Sequence, residues 1–429
     1  MACLAPLCPN DILFCPAILL ILPHRRYGMD GSVVACALLG TACGVVTGLV
    51  PGIHVNTAAP LAVALASNRG IAPLPAASFI CALSLTHTFI DFIPTTLLGI
   101  PSEDTAVAAL PAHRMVLMGR GLEAIRLSGL ASLFAVVSLV ICVYPSLALI
   151  RGGYPLVKAA IPFVLVVVLA RMIASHGTLR RMGMAALVVA LSGVFGWAVL
   201  TGPVWGPDPL FPVFSGMFGI STLLISMRGT CSAPPQSLDA ELQAGRNEML
   251  CSMAQGTLAG SCVALIPGIG ASQAALLVVR PRGHDPMRGY ICSCCAINTA
   301  NALFALMVLQ VGGAARNGAL VHVQRLLGTV TPPTFHALLA VMCLAAGLAY
   351  PLLMALARLL MPALSRVSYR RLSLVGIVFQ GVLVCALSGI LGALLCAVAT
   401  AVGLLPALMG VHRSTVMSFL LIPVLSFYT

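Results

Sequence analysis

Gly40-Thr41-Ala42-Cys43-Gly44 leads to Pro51-Gly52-Ile53 and then Ala58-Ala59; 216 residues later, Gly256-Thr257-Leu258-Ala259-Gly260 leads to Pro267-Gly268-Ile269 and then Ala274-Ala275. Both copies sit in strongly apolar surroundings. Proline removes a backbone donor and crowds the preceding turn, and glycine tolerates positive φ, so each Pro-Gly pair is expected to interrupt a helix. For one copy alone, a plain proline kink is an equal reading. Interruptions at matching places in two halves of an apolar chain are the best sequence pointer to a transporter's binding site.

The composition fits that setting. The chain has 429 residues, 60% hydrophobic and 8% charged, where a soluble domain carries about 25% charged residues. Apolar runs of about 20 residues recur, each long enough to cross a bilayer. They do not alternate apolar with polar, which excludes a β-barrel. The expected fold is all-α: a polytopic transmembrane helical bundle of roughly 10–12 spans. Two homologous repeats, expected to be inverted, would each contain a Pro-Gly broken or re-entrant helix. The expected division is an N-terminal segment 1–30, a first membrane repeat 31–228, a hydrophilic connector 229–249 and a second membrane repeat 250–429. Within the repeats, spans are expected at 127–149, 156–174, 374–397 and 402–427, among others.

The net charge is +12, from 23 basic and 11 acidic residues. In a soluble protein that balance would point to nucleic acid. Here the arginines cluster in short loops, as in Arg25-Arg26, Arg180-Arg181 and Arg370-Arg371, the pattern of cytoplasmic loops in a multi-pass protein of the cell membrane. No nucleic-acid partner is expected. Cys292, Cys294 and Cys295 form the one cysteine cluster, and without a second pair or nearby histidines they read as small packing residues and not as a metal site. The apolar stretch 11–23 ends in His24-Arg25-Arg26, so the charge lies on the wrong flank for a signal peptide. An upstream extension, with Met29 the true start, is the favoured reading.

Candidate site residues fall into two groups. After the first break come His54, Asn56 and Thr57; after the second come Gly270, Ser272 and Gln273. These donors lack fixed negative charge, and the end of a half-helix beside them carries partial positive charge, a combination that suits a carboxylate. Together with Pro51, Gly52, Pro267, Gly268, Asn298 and Thr299 they form the expected substrate site. The second group lies in the polar span 79–100, where Thr86, His87, Thr88, Asp91, Thr95 and Thr96 interrupt an apolar run. His87 and Asp91, four apart, share a helix face. Asp91 is expected to be the only acidic residue well inside a clear span, and an ionisable group at such depth is a functional hypothesis by default. His87, Thr88, Asp91 and Thr95, with Glu103 and Asp104 beyond them, are the expected ion-coupling group. The plainer alternatives are a satisfied core histidine and an interfacial aspartate paired with arginine. Aligning Phe79-Ile80-Cys81 with Tyr290-Ile291-Cys292 places Thr88 on Thr299 and the titratable His87 on the amide Asn298.

No soluble-enzyme motif is present: no Walker loop, no HExxH, no GxSxG. Any transport is therefore driven by a gradient or an external partner. No cofactor is expected beyond a coupling Na⁺ or proton.

The residues resemble a known family. Pro51-Gly52-Ile53, the run Phe92-Ile93-Pro94-Thr95-Thr96-Leu97-Leu98-Gly99-Ile100-Pro101, and Gly119-Arg120-Gly121 look like the large permease subunit of tripartite tricarboxylate transporters. So do Phe214-Ser215-Gly216-Met217-Phe218-Gly219-Ile220, Pro267-Gly268-Ile269-Gly270-Ala271-Ser272-Gln273 and Val411-His412-Arg413-Ser414. The similarity runs from Gly31 to Thr429, and Pro51-Gly52-Ile53-His54-Val55-Asn56-Thr57 is similar to shorter, archaeal-type members. The resemblance implies a secondary carboxylate permease of two repeat units with an elevator-like movement. It also implies a small membrane subunit and a periplasmic solute-binding protein as partners.

The expected function is thus secondary active transport of a small anionic solute, a carboxylate, across the lipid bilayer. A different polar solute on the same architecture is the nearest alternative. An intramembrane enzyme acting on lipid or peptide is the alternative of another class, and the lack of a paired nucleophile and base argues against it. A homo-oligomer stays open.

Overall fold

The computed structural model describes residues 30–50, 55–98, 108–202, 209–227, 234–238, 241–243, 245–266, 270–271, 274–275, 286–313, 315–362 and 369–428. Among them there is no strand. Eight helices are long and apolar enough to cross a membrane, and two shorter apolar helical stretches, Leu210–Ile225 and Arg413–Ser426, accompany them. The chain is therefore a multi-pass helical membrane protein.

Three helices form the centre: α3 (Pro73–Ile90) with its continuation α4 (Phe92–Leu98), α12 (Pro286–Gly312) and α14 (Pro332–Leu360), all heavily buried. Around them stand α1 (Gly31–Leu49), α2 (Val55–Arg69), α5 (Ala109–Leu117), α6 (Gly121–Ile141), α11 (Arg246–Val263) and α13 (Gly318–Leu327). At the periphery α7 (Val143–Ala174) exposes Leu149, Leu156 and Phe163. A helix that is apolar on its open face is stable only against lipid tails.

Lipid supplies no hydrophobic drive between helices, so close packing must come from small residues. Gly40, Gly44 and Gly48 provide it on α1, one helical turn apart. A Cβ on Gly44 would lie 2.7 Å from the Thr86 Cβ and 2.8 Å from the Leu83 carbonyl oxygen; one on Gly40 would strike the Phe79 carbonyl. On α11, a Cβ on Gly260 would lie 2.5 Å from the Ile297 carbonyl oxygen, and one on Gly256 would strike the Ser293 carbonyl. Thus α1 lies on α3, and α11 on α12, backbone against backbone.

A second group of helices comprises α8 (Leu179–Thr201), α9 (Leu210–Phe214) running through a π-helical turn (Ser215–Ile220) into α10 (Ser221–Ser226), α15 (Tyr369–Met409), and α16 (Ser418–Tyr428) after a 3-10 turn (Arg413–Met417). In α15 the backbone leaves helical geometry at Gly389, with φ 64°. Cys396 abuts Gly216 and Gln380 abuts Gly219. A straight helix would hold two residues 16 apart about 24 Å from each other, so the chain turns back at Gly389 and both legs flank the π-helical turn. The break therefore falls at Gly389 and not between 397 and 402. A continuous apolar run carries no mark of it except the glycine. The boundary between α6 and α7 likewise falls at Cys142, inside the expected span 127–149. Pro145, in the first turn of α7, has no N–H for the Ile141 carbonyl.

Gly256→Val is expected to destabilise the protein by about 3 kcal/mol, the upper end of overpacking costs, because a backbone carbonyl cannot swing away. Gly381→Ala, where a Cβ meets nothing within 4 Å, is expected to be neutral. Thermal unfolding in detergent separates the two.

Candidate functional site

The site is built on the join between α3 and α4. Pro94 offers no N–H to the Ile90 carbonyl, so α3 closes at Ile90 and α4 opens at Phe92, leaving Asp91 between them. Asp91 keeps αR geometry, and its N–H still donates to the His87 carbonyl at 3.0 Å. Thr95 Oγ1 donates to the Asp91 carbonyl at 2.9 Å. Thr86, His87, Thr88, Asp91, Thr95 and Thr96 are all buried.

The polar side chains point two ways. His87 faces α1, where its Nδ1 lies 3.1 Å from Thr47 Oγ1, and Thr47 Oγ1 donates to the Gly44 carbonyl at 3.2 Å. Thr88 faces α12: its hydroxyl donates to the Leu85 carbonyl at 2.8 Å and lies 3.2 Å from Thr299 Oγ1. Either hydroxyl can donate across that contact. The two threonines that the sequence register places on each other thus touch at the centre of the bundle. Asn298, beside Thr299, is buried too. Thr86 Oγ1 and Thr96 Oγ1 are buried and have no hydrogen-bond partner among the described residues. The carbonyl of Thr96 accepts from His113 Nδ1 at 3.0 Å, which ties α4 to α5.

Of the other expected site residues, Pro51, Gly52, His54, Glu103, Asp104, Pro267, Gly268, Ser272 and Gln273 lie outside the described residues. Asn56 and Thr57 fall in the first turn of α2, and Gly270 directly precedes the buried Ala271. Of the helices that precede the two Pro-Gly pairs, α1 ends at Leu49 with Val50 extended, and α11 ends at Val263.

Two polar clusters were not foreseen. Glu123, in the first turn of α6, is 1% exposed, a buried carboxylate at a helix end. Its Oε1 accepts from Arg288 Nε at 2.8 Å and from the Gln243 backbone N–H at 3.0 Å; its Oε2 accepts from Arg288 Nη2 at 3.0 Å and Arg120 Nη2 at 2.8 Å. This knot joins the two halves of the chain to the connector. Pro286, opening α12, was the available signal, since it carries Arg288 into a helix and out of the expected basic loop. In the second cluster, Arg413 Nη2 donates to Ser221 Oγ at 2.6 Å and to the Phe218 carbonyl at 3.4 Å, at the end of the π-helical turn. A π-helical turn shifts carbonyls out of α-helical register, and the guanidinium takes them up. Beside it His176 donates from Nδ1 to the Ile173 carbonyl at 3.1 Å and accepts at Nε2 from the His412 N–H at 2.9 Å. The two imidazole rings lie 4.7 Å apart.

Residues 34–418 match the model of the tripartite tricarboxylate transporter TctA family. The chain belongs to that family. An uncharacterized protein of Methanocaldococcus jannaschii is 29% identical over 408 residues, covering 91% of this chain and 98% of the relative. No solved structure matches. The TctA family is a transporter family, not an enzyme family, and its description places it in a tripartite system. Segments bearing the family resemblance are neighbours in space: Phe218 and Ser221 from one and Arg413 from the other.

Glu123→Gln is expected to cost about 3–5 kcal/mol, because it removes the buried carboxylate that Arg288 grips with two nitrogens; the fall in unfolding temperature measures it. Burial, and secondly His176, hold His412 below its ordinary value of 6.5. The unfolded chain takes that proton more readily, so this contribution to stability is complete above 6.5 and is lost as pH falls through it. The unfolding temperature is expected to drop between about pH 7.5 and about pH 5.5, with a shallower slope in His412→Gln.

Proposed function

We propose that the chain is a gradient-driven permease for a small anionic solute, a carboxylate, in the cell membrane. The observation that carries this reading is the buried Thr88–Thr299 contact at 3.2 Å. Uncharged hydroxyls from the two most buried helices meet there, in a family of tricarboxylate transporters. The orphan hydroxyl of Thr96 on α4 supports it. A buried hydroxyl without a partner is costly, and a bound carboxylate would accept from it.

In this reading Asn298, Thr299 and the half-helix starts that follow the two Pro-Gly pairs bind the solute, with His54, Asn56, Thr57, Gly270, Ser272 and Gln273 beside them. His87, Thr88, Asp91, Thr95, Glu103 and Asp104 couple a cation or proton to it. The two halves form a pseudo-symmetric pair about the Thr88–Thr299 contact. A small membrane subunit and a solute-binding protein deliver the solute, as the tripartite family implies.

Uptake of labelled di- and tricarboxylates into proteoliposomes under imposed Na⁺ or proton gradients tests this. Thr299→Val is expected to lower uptake at least tenfold, about 1.4 kcal/mol of lost binding, and Asp91→Asn to abolish accumulation against a gradient. Wild-type uptake in Thr299→Val and gradient-driven accumulation by Asp91→Asn would both contradict the proposal.

A further inference from the structure

Contacts and chain lengths sort the helix ends by side. Met361, just past the end of α14, packs at Gly121, where a Cβ would lie 3.4 Å from its Sδ. Glu123, two residues on, is held by Arg120 and by Arg288 and accepts from the connector at Gln243. The start of α6, the start of α12, the end of α14 and the connector thus share one face. Tyr369, opening α15, follows Pro362 by seven positions. Seven residues reach at most about 25 Å, less than the ~30 Å hydrocarbon core, so α15 opens on that face too. It crosses, turns back at Gly389 and returns His412 and Arg413 to the face it left. His176 accepts from the His412 N–H there and brings Arg180 and Arg181, in the first turn of α8, to the same side.

The opposite ends are bare of charge. Around Ile141, Thr201, Pro332 and Gly389, no described residue within four positions is Arg, Lys, Asp or Glu; Arg316, beyond Gly312, is the exception on that side. On the arginine face, the Glu123 knot uses Arg120 and Arg288. Arg180-Arg181 and Arg370-Arg371 are exposed, and neither pair meets a carboxylate among the described residues. Each pair sits in the first turn of its helix, the positive end of the dipole, where a cation is disfavoured and an anion is welcome. Leu179, 86% exposed, precedes one pair, and Val375, 65% exposed, stands one turn beyond the other. Bare leucine and valine beside paired arginines place both helix starts where acyl chains give way to headgroups.

We propose that this arginine face is the cytoplasmic one, and that Arg180-Arg181 and Arg370-Arg371 hold anionic phospholipid headgroups of the inner leaflet. Short cytoplasmic loops carry the arginine excess of multi-pass proteins, and the anionic cytoplasmic leaflet attracts basic segments at the membrane surface. The headgroup phosphates accept from the guanidinium groups and offset the positive helix ends. The helix ends at Ile141, Thr201, Pro332 and Gly389 then lie on the outer side. The proposal rests on the cell-membrane placement of the proposed function and is independent of the solute.

Leu179→Cys and Thr329→Cys each put a thiol at an exposed position, one on either side. A membrane-impermeant maleimide is applied to spheroplasts and to inside-out vesicles carrying the full chain, and peptide mass spectrometry reads the label at each position. Position 179 is expected to react far faster in inside-out vesicles, and position 329 far faster in spheroplasts. The reverse pattern, or both positions reacting from one side, overturns the sidedness. For the headgroups, the unfolding temperature of the full chain is read in nanodiscs of phosphatidylglycerol and of phosphatidylcholine. The wild type is expected to unfold several degrees higher in phosphatidylglycerol, since a ligand bound only by the folded state stabilises it. A variant combining Arg180→Gln, Arg181→Gln, Arg370→Gln and Arg371→Gln is expected to lose most of that difference. A wild type indifferent to the lipid, or an equal difference in the variant, overturns the headgroup assignment.

Discussion

A helix that carries threonines, a histidine and an aspartate cannot face lipid, and this constraint orders the rest of the molecule. α3 is such a helix, and it is covered on every side. α1 seals one flank by bringing its backbone onto α3 at Gly40, Gly44 and Gly48, where any larger residue would strike Phe79, Thr86 or Ile90. α12 seals another and meets α3 hydroxyl to hydroxyl at Thr88 and Thr299. The glycines give the close approach, and the close approach keeps the polar groups dry. In a dry setting one fixed hydrogen bond or one carboxylate decides where a proton or an anion can rest.

The pairs α1–α3 and α11–α12 pack in the same way and differ in what they place beside the contact. α11 packs on α12 through Gly256 and Gly260 as α1 packs on α3. Pro94 splits the helix in the first half, and α12 runs unbroken from Pro286 to Gly312. His87 and Asp91 lie at the split; Asn298 and Thr299 lie on the intact helix. The titratable groups thus fall where the backbone is interrupted, and the neutral amide and hydroxyl fall where it is continuous.

Much of this was legible in the residues. Unbroken apolar runs and scarce charge dictate a helical membrane protein. The order of short glycine and proline motifs points to the family. The shared Ile-Cys register at Ile80 and Ile291 aligns Thr88 with Thr299, but their contact comes only from the structure. What escaped reading depends on contacts between distant segments. Nothing local tells that Glu123 and Arg288 will form a two-pronged pair across 165 residues, or that Thr47, an ordinary threonine in an apolar helix, ends opposite His87. Helix boundaries inside long apolar stretches also escaped, because periodicity is silent when every face is apolar; Cys142 and Gly389 were found only through the backbone.

The central claim is that a carboxylate binds where α3 meets α12. A cryo-electron-microscopy map of the full chain in nanodiscs, saturated with the tricarboxylate or dicarboxylate that uptake selects, tests it most directly. The account predicts solute density within hydrogen-bonding distance of Thr299 and of Thr88 or Asn298. Well-ordered solute density elsewhere, with the Thr88–Thr299 contact dry and unchanged, would contradict it.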